Sequence, residues 1–143
     1  MSGSSRAHCL DANVVIRYLS PTPVAAVDRR WRTWDVDRPQ LVAPTLLRYE
    51  VVNALHQWVR HGVMTADEAG RAFADAQGLA IEFYGDGDLH ERALEMAGRF
   101  HLPAAYDAHY LALAERFGAP LWTTDARLAK AVGDGLPEVR LIE

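Results

Sequence analysis

The amino-acid sequence predicts an α/β fold, a three-layer α/β/α sandwich with a short-stranded, mainly parallel central sheet. Short apolar runs alternate along the chain with longer segments whose apolar residues recur at helical spacing. Such alternation is typical of a parallel sheet with helices on both faces. The length of 143 residues suits one domain, and a hydrophobic content of 50% supplies side chains for its core.

The first part of the chain predicts one strand and two helices. His8–Leu10 is a short apolar run that predicts the first strand, and Asn13–Leu19 predicts a short helix after it. Thr22-Pro23 predicts the start of the second helix, because threonine is a favoured cap and proline suits the first helical position. The apolar positions of this second helix are Val24, Val27, Trp31 and Trp34.

The middle of the chain predicts a strand and two further helices. Gln40–Ala43 predicts the second strand, which a proline closes. Thr45 is placed to cap a long helix that ends at Gly62. Thr65 and Glu68 have the spacing of a capping box and open the next helix. The apolar positions of the long helix are Leu47, Val51, Ala54, Leu55, Trp58 and Val59.

The last part of the chain predicts three strands and three helices. Leu79–Tyr84 predicts the third strand. Asp88 and Glu91 have capping-box spacing, with aspartate as the cap, and open a helix. A second helix covers about Ala104–Phe117 and is closed by a glycine. The remaining elements are the strand Pro120–Thr123, the short helix Asp125–Val132 and the strand Val139–Ile142.

The composition excludes several classes of protein. A net charge of −4 argues against a broad basic surface for nucleic acid, but it leaves room for a nuclease whose acidic site binds cations. The apolar runs are too short to span a membrane, and the chain start lacks the apolar stretch of a secretory signal. We therefore expect a loose tail at residues 1–7 and one domain at 8–143. The single Cys9 lacks a disulfide partner, which favours the cytoplasm.

Four acidic residues that are distant in the sequence are predicted to meet at one edge of the sheet. Asp11 follows the first strand and Asp125 follows the fourth. Glu50 lies near the start of the helix after the second strand, and Asp107 lies in the first turn of the helix before the fourth. The reactive crevice of an open parallel sheet lies beyond the carboxyl ends of its strands. All four carboxylates are therefore expected in that crevice.

Such a group of carboxylates predicts a metal site. Like charges a few Å apart raise each other's pKa, and Mg²⁺ or Mn²⁺ would remove that cost. Two such ions can activate a water and stabilise the leaving oxygen in phosphodiester cleavage. Asp11 is the expected bridging ligand, because the first strand lies at the centre of the winding. Asn13 and Thr123 are expected to bond to the ligating carboxylates or to metal-bound water.

Each acid also has an ordinary structural explanation. Asp11 and Asp125 suit helix caps or turns, Asp107 favours a helix start through the helix dipole, and a helical glutamate such as Glu50 is usually solvated. Only the convergence of all four favours the metal. The six histidines include no zinc pair backed by a third ligand. Basic residues that flank the acidic motifs, and are candidates for phosphate contacts, are Arg17, Arg48, Arg127 and Lys130.

Three tryptophans recur at helical spacing. Trp31, Trp34 and Trp58 are assigned to the core or to an interface rather than to base stacking. Together with the long helix around Trp58 they offer apolar area beyond what a small core needs. We therefore expect a homodimer.

The four acids lie in four segments with a recognisable order and spacing. The segments are Leu10–Ile16 (LDANVVI), Leu47–Leu55 (LRYEVVNAL), Tyr106–Ala114 (YDAHYLALA) and Leu121–Leu128 (LWTTDARL). Together they resemble the motifs of PIN-domain ribonucleases, especially the VapC-type toxins of toxin–antitoxin pairs. The agreement extends over about Ala7–Ile142, nearly the whole chain. Each motif alone is degenerate, whereas the ordered set is fairly specific.

The resemblance implies a PIN-like fold and a metal-dependent endoribonuclease directed at single-stranded RNA. By residue match it places the metal ligands at Asp11, Glu50, Asp107 and Asp125. It also implies frequent homodimers and a neutralising antitoxin partner. Many family members carry another acid after the fourth motif, where this chain has Arg127 and its neighbouring leucine. The number of bound ions, one or two, therefore stays open.

Other functions fit the sequence less well. A phosphoryl-accepting receiver domain would want adjacent acids after the first strand and a lysine after the last. A haloacid-dehalogenase phosphatase would want a second aspartate where Asn13 stands. The stronger alternative is a catalytically weak PIN-fold binding module that acts through protein or RNA contacts. Retention of all four acids argues against that loss of chemistry.

Overall fold

The computed structural model describes residues 6–143, in which strands and helices alternate along the chain. The strands are β1 (Ala7–Leu10), β2 (Gln40–Pro44), β3 (Ile81–Tyr84), β4 (Leu121–Thr123) and β5 (Val139–Leu141). The helices are α1 (Ala12–Tyr18), α2 (Ala25–Asp37), α3 (Leu46–Arg60), α4 (Ala66–Gln77), α5 (Gly87–Arg99), α6 (Tyr106–Phe117) and α7 (Ala126–Val132). Of the predicted N-terminal tail, residues 1–5 lie outside the described residues, and Ala7 already pairs with Gln40 in the sheet.

The five strands form one parallel sheet in the order β3-β2-β1-β4-β5. The chain builds β2 and β3 on one side of β1 and then crosses to the other side for β4 and β5. The winding therefore reverses between β1 and β4, where Leu10 is in register with Trp122. A crevice is expected beyond the carboxyl ends of these two strands. The predicted α/β/α fold is confirmed, and Asp11 follows the central strand.

Helix α6 packs against β1 and β2 and contacts α5, whereas α1 contacts α2 and α3. The segment Tyr110–Ala114 of α6 is buried throughout, which explains its continuous apolar sequence. Cys9 is a buried free thiol on β1. No helix within residues 6–143 has both the length and the apolar content to cross a membrane.

The tryptophans of α2 belong to the core. Trp31 and Trp34 are 3% and 4% exposed, and their rings meet edge to face at 5.0 Å. Trp34 also packs edge to face on Trp122 of β4, and Trp31 stacks on Tyr18 of α1. The expectation that this segment supplies spare apolar area for a dimer is wrong, because aromatic partners on neighbouring elements cover both rings.

Helix starts agree with the sequence prediction at one place and differ at another. Thr65 and Glu68 make both hydrogen bonds of the predicted capping box at the start of α4. At α2 the predicted cap Thr22 is wrong, because the helix begins at Ala25. The backbone N–H of Thr22 instead donates to Ser20 Oγ at 3.2 Å, which closes a turn ahead of the helix.

Two further predicted caps also differ. The cap of α5 is Asp86 rather than Asp88, and its carboxylate accepts from the backbone of Leu89 at 3.1 Å. Thr45 does occupy the position before α3, but its backbone is already helical and its side chain makes no capping hydrogen bond. The Thr45 side chain lies against Gly85, where an added Cβ would come within 2.6 Å of its hydroxyl oxygen.

Candidate active site at the carboxyl ends of the strands

Asp11 is a buried carboxylate at the end of the central strand, with 4% of its surface exposed. It precedes α1 but makes no capping hydrogen bond to that helix, so the ordinary explanation of a cap does not account for it. Its Oδ2 atom instead accepts from the hydroxyl of Thr123 at 2.9 Å and from the side-chain amide of Asn13 at 3.1 Å. The end of β4 and the first turn of α1 therefore hold one acid in place.

Thr123 and Asn13 form a closed network around Asp11. The hydroxyl of Thr123 is fully buried and also accepts from the backbone N–H of Asp125 at 3.0 Å and from Asn13 Nδ2 at 3.1 Å. Asn13 Oδ1 accepts from the backbone N–H of Thr124 at 2.9 Å. Both side chains thus lie where the sequence predicts them, against a candidate ligand, and they fix the loop after β4 to the start of α1.

Glu50 reaches the same region from α3. Its Oε1 atom accepts a hydrogen bond of 2.7 Å from the hydroxyl of Tyr110, which is completely buried on α6. Sequence analysis gave Tyr110 no role. The sequence did carry a signal that Tyr110 faces the acids, because it lies three residues after Asp107 and residues at that spacing share one face of a helix. A buried hydroxyl that points toward an acidic crevice is the group most expected to orient a carboxylate there.

Asp107 and Asp125 are less buried than Asp11, and both are partly exposed. Asp107 stands in the first turn of α6, as predicted. Asp125 caps α7, and its Oδ1 atom accepts from the backbone N–H of Arg127 at 2.9 Å. The guanidinium of Arg127 lies 3.8 Å from the same oxygen, but its side chain is 97% exposed, so that ion pair contributes little.

The electrostatics of the crevice indicate that the acids influence one another. Burial, together with the charges of Asp107 and Glu50, raises the pKa of Asp11 to about 7, and the Thr123 hydrogen bond opposes this rise. Burial also raises the pKa of Glu50, with a contribution from Asp107. The pKa of Asp107 is raised by burial first and then by Asp125. Each of the four acids therefore either repels another of them or is repelled by one.

This donor set suits a hard divalent cation in its chemistry. Carboxylate oxygens are the ligands that Mg²⁺ and Mn²⁺ prefer, and a cation would offset both the burial and the repulsion that raise the three pKa values. Among residues 6–143, however, no three acidic, histidine or cysteine side chains lie close enough together to hold an ion as they stand. Glu50 and Asp107 lie near enough to Asp11 to raise its pKa, and Asp125 does the same to Asp107, but no three of the predicted acids form a ready metal site.

The basic residues that flank the acids fall into two groups. Arg17 donates from Nε to the hydroxyl of Thr124 at 2.9 Å, and with Asp125 and Arg127 it lines a cavity of about 370 Å³ beside the crevice. Arg48 instead lies over the ring of a phenylalanine in β3, with its guanidinium carbon 4.1 Å from the ring centre. Arg17 and Arg127 are therefore the better candidates for a phosphate contact.

Comparisons of the sequence with known proteins find a matching family and related ribonucleases. The family model described as "PIN domain" matches residues 8–133. Ribonuclease VapC12 of Mycobacterium tuberculosis is 31% identical over 134 residues, which cover 93% of this chain and 97% of that protein. Ribonuclease VapC3 of Pyrobaculum aerophilum is 34% identical over 87 residues, covering 59% of this chain and 66% of that protein.

A solved structure shares the fold at lower sequence identity. One chain of a toxin–antitoxin complex from Klebsiella pneumoniae superposes with a TM-score of 0.71 at 18% identity. The superposition covers 95% of this chain and 98% of that one. At this identity the likeness bears on the fold alone, and it extends over nearly every element described above.

Proposed function

Because the chain belongs to the PIN domain family, we propose that it is a metal-dependent endoribonuclease and the toxin of a toxin–antitoxin pair. The observation that carries the proposal is Asp11, a buried carboxylate at the end of the central strand whose pKa is raised by its burial and by the charges of Asp107 and Glu50. Burying an acid without a cationic partner destabilises a fold, so such an arrangement is retained where the charge has a function. The similarity to two VapC ribonucleases supports RNA as the substrate.

The chain's own residues would position the reacting groups. Thr123 and Asn13 fix the orientation of the Asp11 carboxylate, and the Tyr110 hydroxyl fixes that of Glu50. Mg²⁺, or Mn²⁺ in its place, would be held by Asp11, Glu50, Asp107 and Asp125, and when bound it would supply water activation and stabilisation of the leaving oxygen. Arg17 and Arg127 at the rim carry the positive charge that could bind RNA phosphates.

We also propose that the chain has protein partners. The solved relative from Klebsiella pneumoniae is a toxin–antitoxin complex, which supports a cognate antitoxin here. An antitoxin tail that carries an arginine or lysine would complement the acidic crevice and compete with metal. A homodimer stays a prediction, although Trp31 and Trp34 are not its contact. Light scattering at high micromolar concentration tests it, and a monomer there would refute it.

The experiment that tests the proposed activity is RNA cleavage with and without chelator. Induced expression followed by sequencing of RNA ends should give new 5′ ends that are missing from cells expressing Asp11→Asn. The purified protein should cut single-stranded RNA with Mg²⁺ or Mn²⁺ and stop in excess chelator. Cleavage that persists in chelator would refute the metal mechanism. Wild type that binds RNA but leaves it intact under every metal condition would favour the alternative, a catalytically weak PIN-fold binding module.

A further inference from the structure

A second cavity, of about 520 Å³, lies on the side of the sheet that α2 covers. Its walls come from α2, from the start of β1 and from β4 and β5. None of the four acids of the active-site crevice lines it. We name it the arginine cavity. The charged residues of its lining are three arginines and one acid: Arg6, Arg30, Arg140 and Asp37.

The lining is positively charged in a protein that is negative overall. Three guanidiniums against the single carboxylate of Asp37 leave an excess of positive charge, whereas the whole chain carries −4. Arg140 is engaged by Glu138, which accepts from it at 2.6 Å and 3.3 Å. Arg6 and Arg30 take part in no salt bridge with the residues that the structure describes. Two guanidiniums are therefore available to an anion.

Trp122 restricts the positions of Arg30 and Arg140, and its own ring is not accessible to a ligand. The guanidinium carbon of Arg30 lies 4.3 Å from the centre of the Trp122 ring, and that of Arg140 lies 5.2 Å from it. These are cation–π distances, so the indole restricts where both charges can sit. The ring itself is only 6% exposed. A nucleobase therefore cannot stack on it, and recognition in this cavity falls to the charges.

His8 adds a neutral polar group to the lining. The indole N–H of Trp122 donates to Nδ1 of His8 at 2.7 Å, and because an indole can only donate, the neutral ring carries its hydrogen on Nε2. Burial lowers the pKa of His8, and Arg140, Arg6 and Arg30 lower it further. All three guanidiniums therefore lie near enough to one ring to act on it, as expected for residues that line the same space.

We infer that the arginine cavity binds a phosphate-bearing anion of about mononucleotide size. Guanidinium groups match phosphate oxygens in pairs, and the volume lies within the usual range for small-molecule sites. The phosphate could belong to a free nucleotide or to the backbone of RNA, and the chemistry of recognition is the same. The cavity is a different place from the crevice, so this inference does not depend on the proposed ribonuclease activity.

The experiment is titration calorimetry of the full chain in excess chelator, so that no cleavage interferes. The probes are inorganic phosphate, AMP, adenosine and a four-nucleotide RNA. AMP should bind saturably and adenosine should not. Binding by AMP and inorganic phosphate identifies a site for free anions, whereas binding by RNA alone identifies a subsite for its backbone. Absence of saturable binding by every phosphate probe at millimolar concentration would overturn the inference.

Variants locate the binding and separate it from simple misfolding. Arg6→Gln with Arg30→Gln should weaken binding by at least about tenfold, because two charge-assisted hydrogen bonds are lost. Arg32→Gln is the matched control, since Arg32 lies on α2 outside the cavity and should leave affinity unchanged. Asp37→Asn should tighten binding about twofold or more, a gain that a damaged fold cannot produce. Equal affinity in the double variant and Arg32→Gln would refute the assignment.

Discussion

The hydroxyl of Thr123 lies 2.9 Å from Oδ2 of Asp11, and both residues are buried where β4 and β1 end side by side. This bond holds the one acid of the crevice that has almost no contact with water. It opposes the burial that raises the pKa of Asp11, so it stabilises the charged form of that carboxylate. The orientation of the central acid therefore depends on the neighbouring strand as well as on its own.

Thr123→Val should destabilise the fold by about 1–3 kcal/mol at neutral to basic pH, because a buried carboxylate loses a hydrogen-bond donor. The loss of stability should be smaller at pH 5, because Asp11 is then protonated and no buried charge depends on the hydrogen bond from Thr123. Urea unfolding at both pH values measures it. Thr124→Val is the control, since the Thr124 hydroxyl bonds only to the exposed Arg17 and should matter little. An equal loss at pH 5 and pH 8 would contradict this role for Thr123.

Replacing each acid by its amide should suppress metal-dependent RNA cleavage. Asp11→Asn and Asp107→Asn should be the most severe, at least about a hundredfold in rate, because both lie where the repulsions converge. Glu50→Gln and Asp125→Asn should also reduce the rate. Asp75→Asn on the exposed face of α4 is the charge-matched control. A single acid whose amide variant keeps full activity would drop out of the proposed ligand set.

Tyr110→Phe tests the residue that sequence analysis did not identify. Loss of the hydroxyl removes a 2.7 Å hydrogen bond that lowers the pKa of Glu50, so that pKa should rise. The acidic limb of the pH–rate profile should therefore move to higher pH, and unfolding should cost about 1–3 kcal/mol less. Tyr49→Phe, on α3 beside Glu50 with 74% exposure, should change neither quantity. An unmoved acidic limb would leave Tyr110 with a packing role only.

The fold could be predicted because its signals are local. Strand and helix alternate in sequence, and an acid that follows a strand must lie at the strand's carboxyl end. Asp11 and Asp125 could therefore be placed from the sequence alone. For these two acids to share a crevice, β1 and β4 must also be neighbours, and the structure shows that these strands pair.

Contacts between distant elements could not be predicted in the same way. The bond from Tyr110 to Glu50 joins residues 60 apart and depends on how α3 and α6 are rotated about their axes. The burial of Trp31 and Trp34 depends likewise on aromatic partners outside α2. Even a local signal can be ambiguous: Asp86 and Asp88 both precede an apolar helix, and only Asp86 also pairs with Arg116 on α6.

Asp11→Asn should stabilise the metal-free protein. The pKa of Asp11 is about 7 in the folded state, against roughly 4 in an unfolded chain. Between these values the folded state holds a proton that the unfolded state has released, so stability falls as pH rises from about 4 to 7 and stays lower above that. Asparagine does not titrate and can still accept the bonds from Thr123 and Asn13. The stability of the variant relative to wild type should therefore increase as pH rises across that range.

At pH 8 in chelator, the free energy of unfolding of Asp11→Asn should exceed that of wild type by between about 1 and 4 kcal/mol. The upper value corresponds to the full pKa shift of Asp11, and the lower value applies if the residues around Asp11 rearrange to reduce that shift. Added Mg²⁺ or Mn²⁺ should reverse the order, because metal stabilises the folded wild type by binding to it and the variant has lost a ligand. Melting curves of wild type, Asp11→Asn and the control Asp75→Asn, with and without metal, measure both effects. If Asp11→Asn melts lower in chelator and wild type gains nothing from metal, Asp11 serves the fold and the proposed site is wrong.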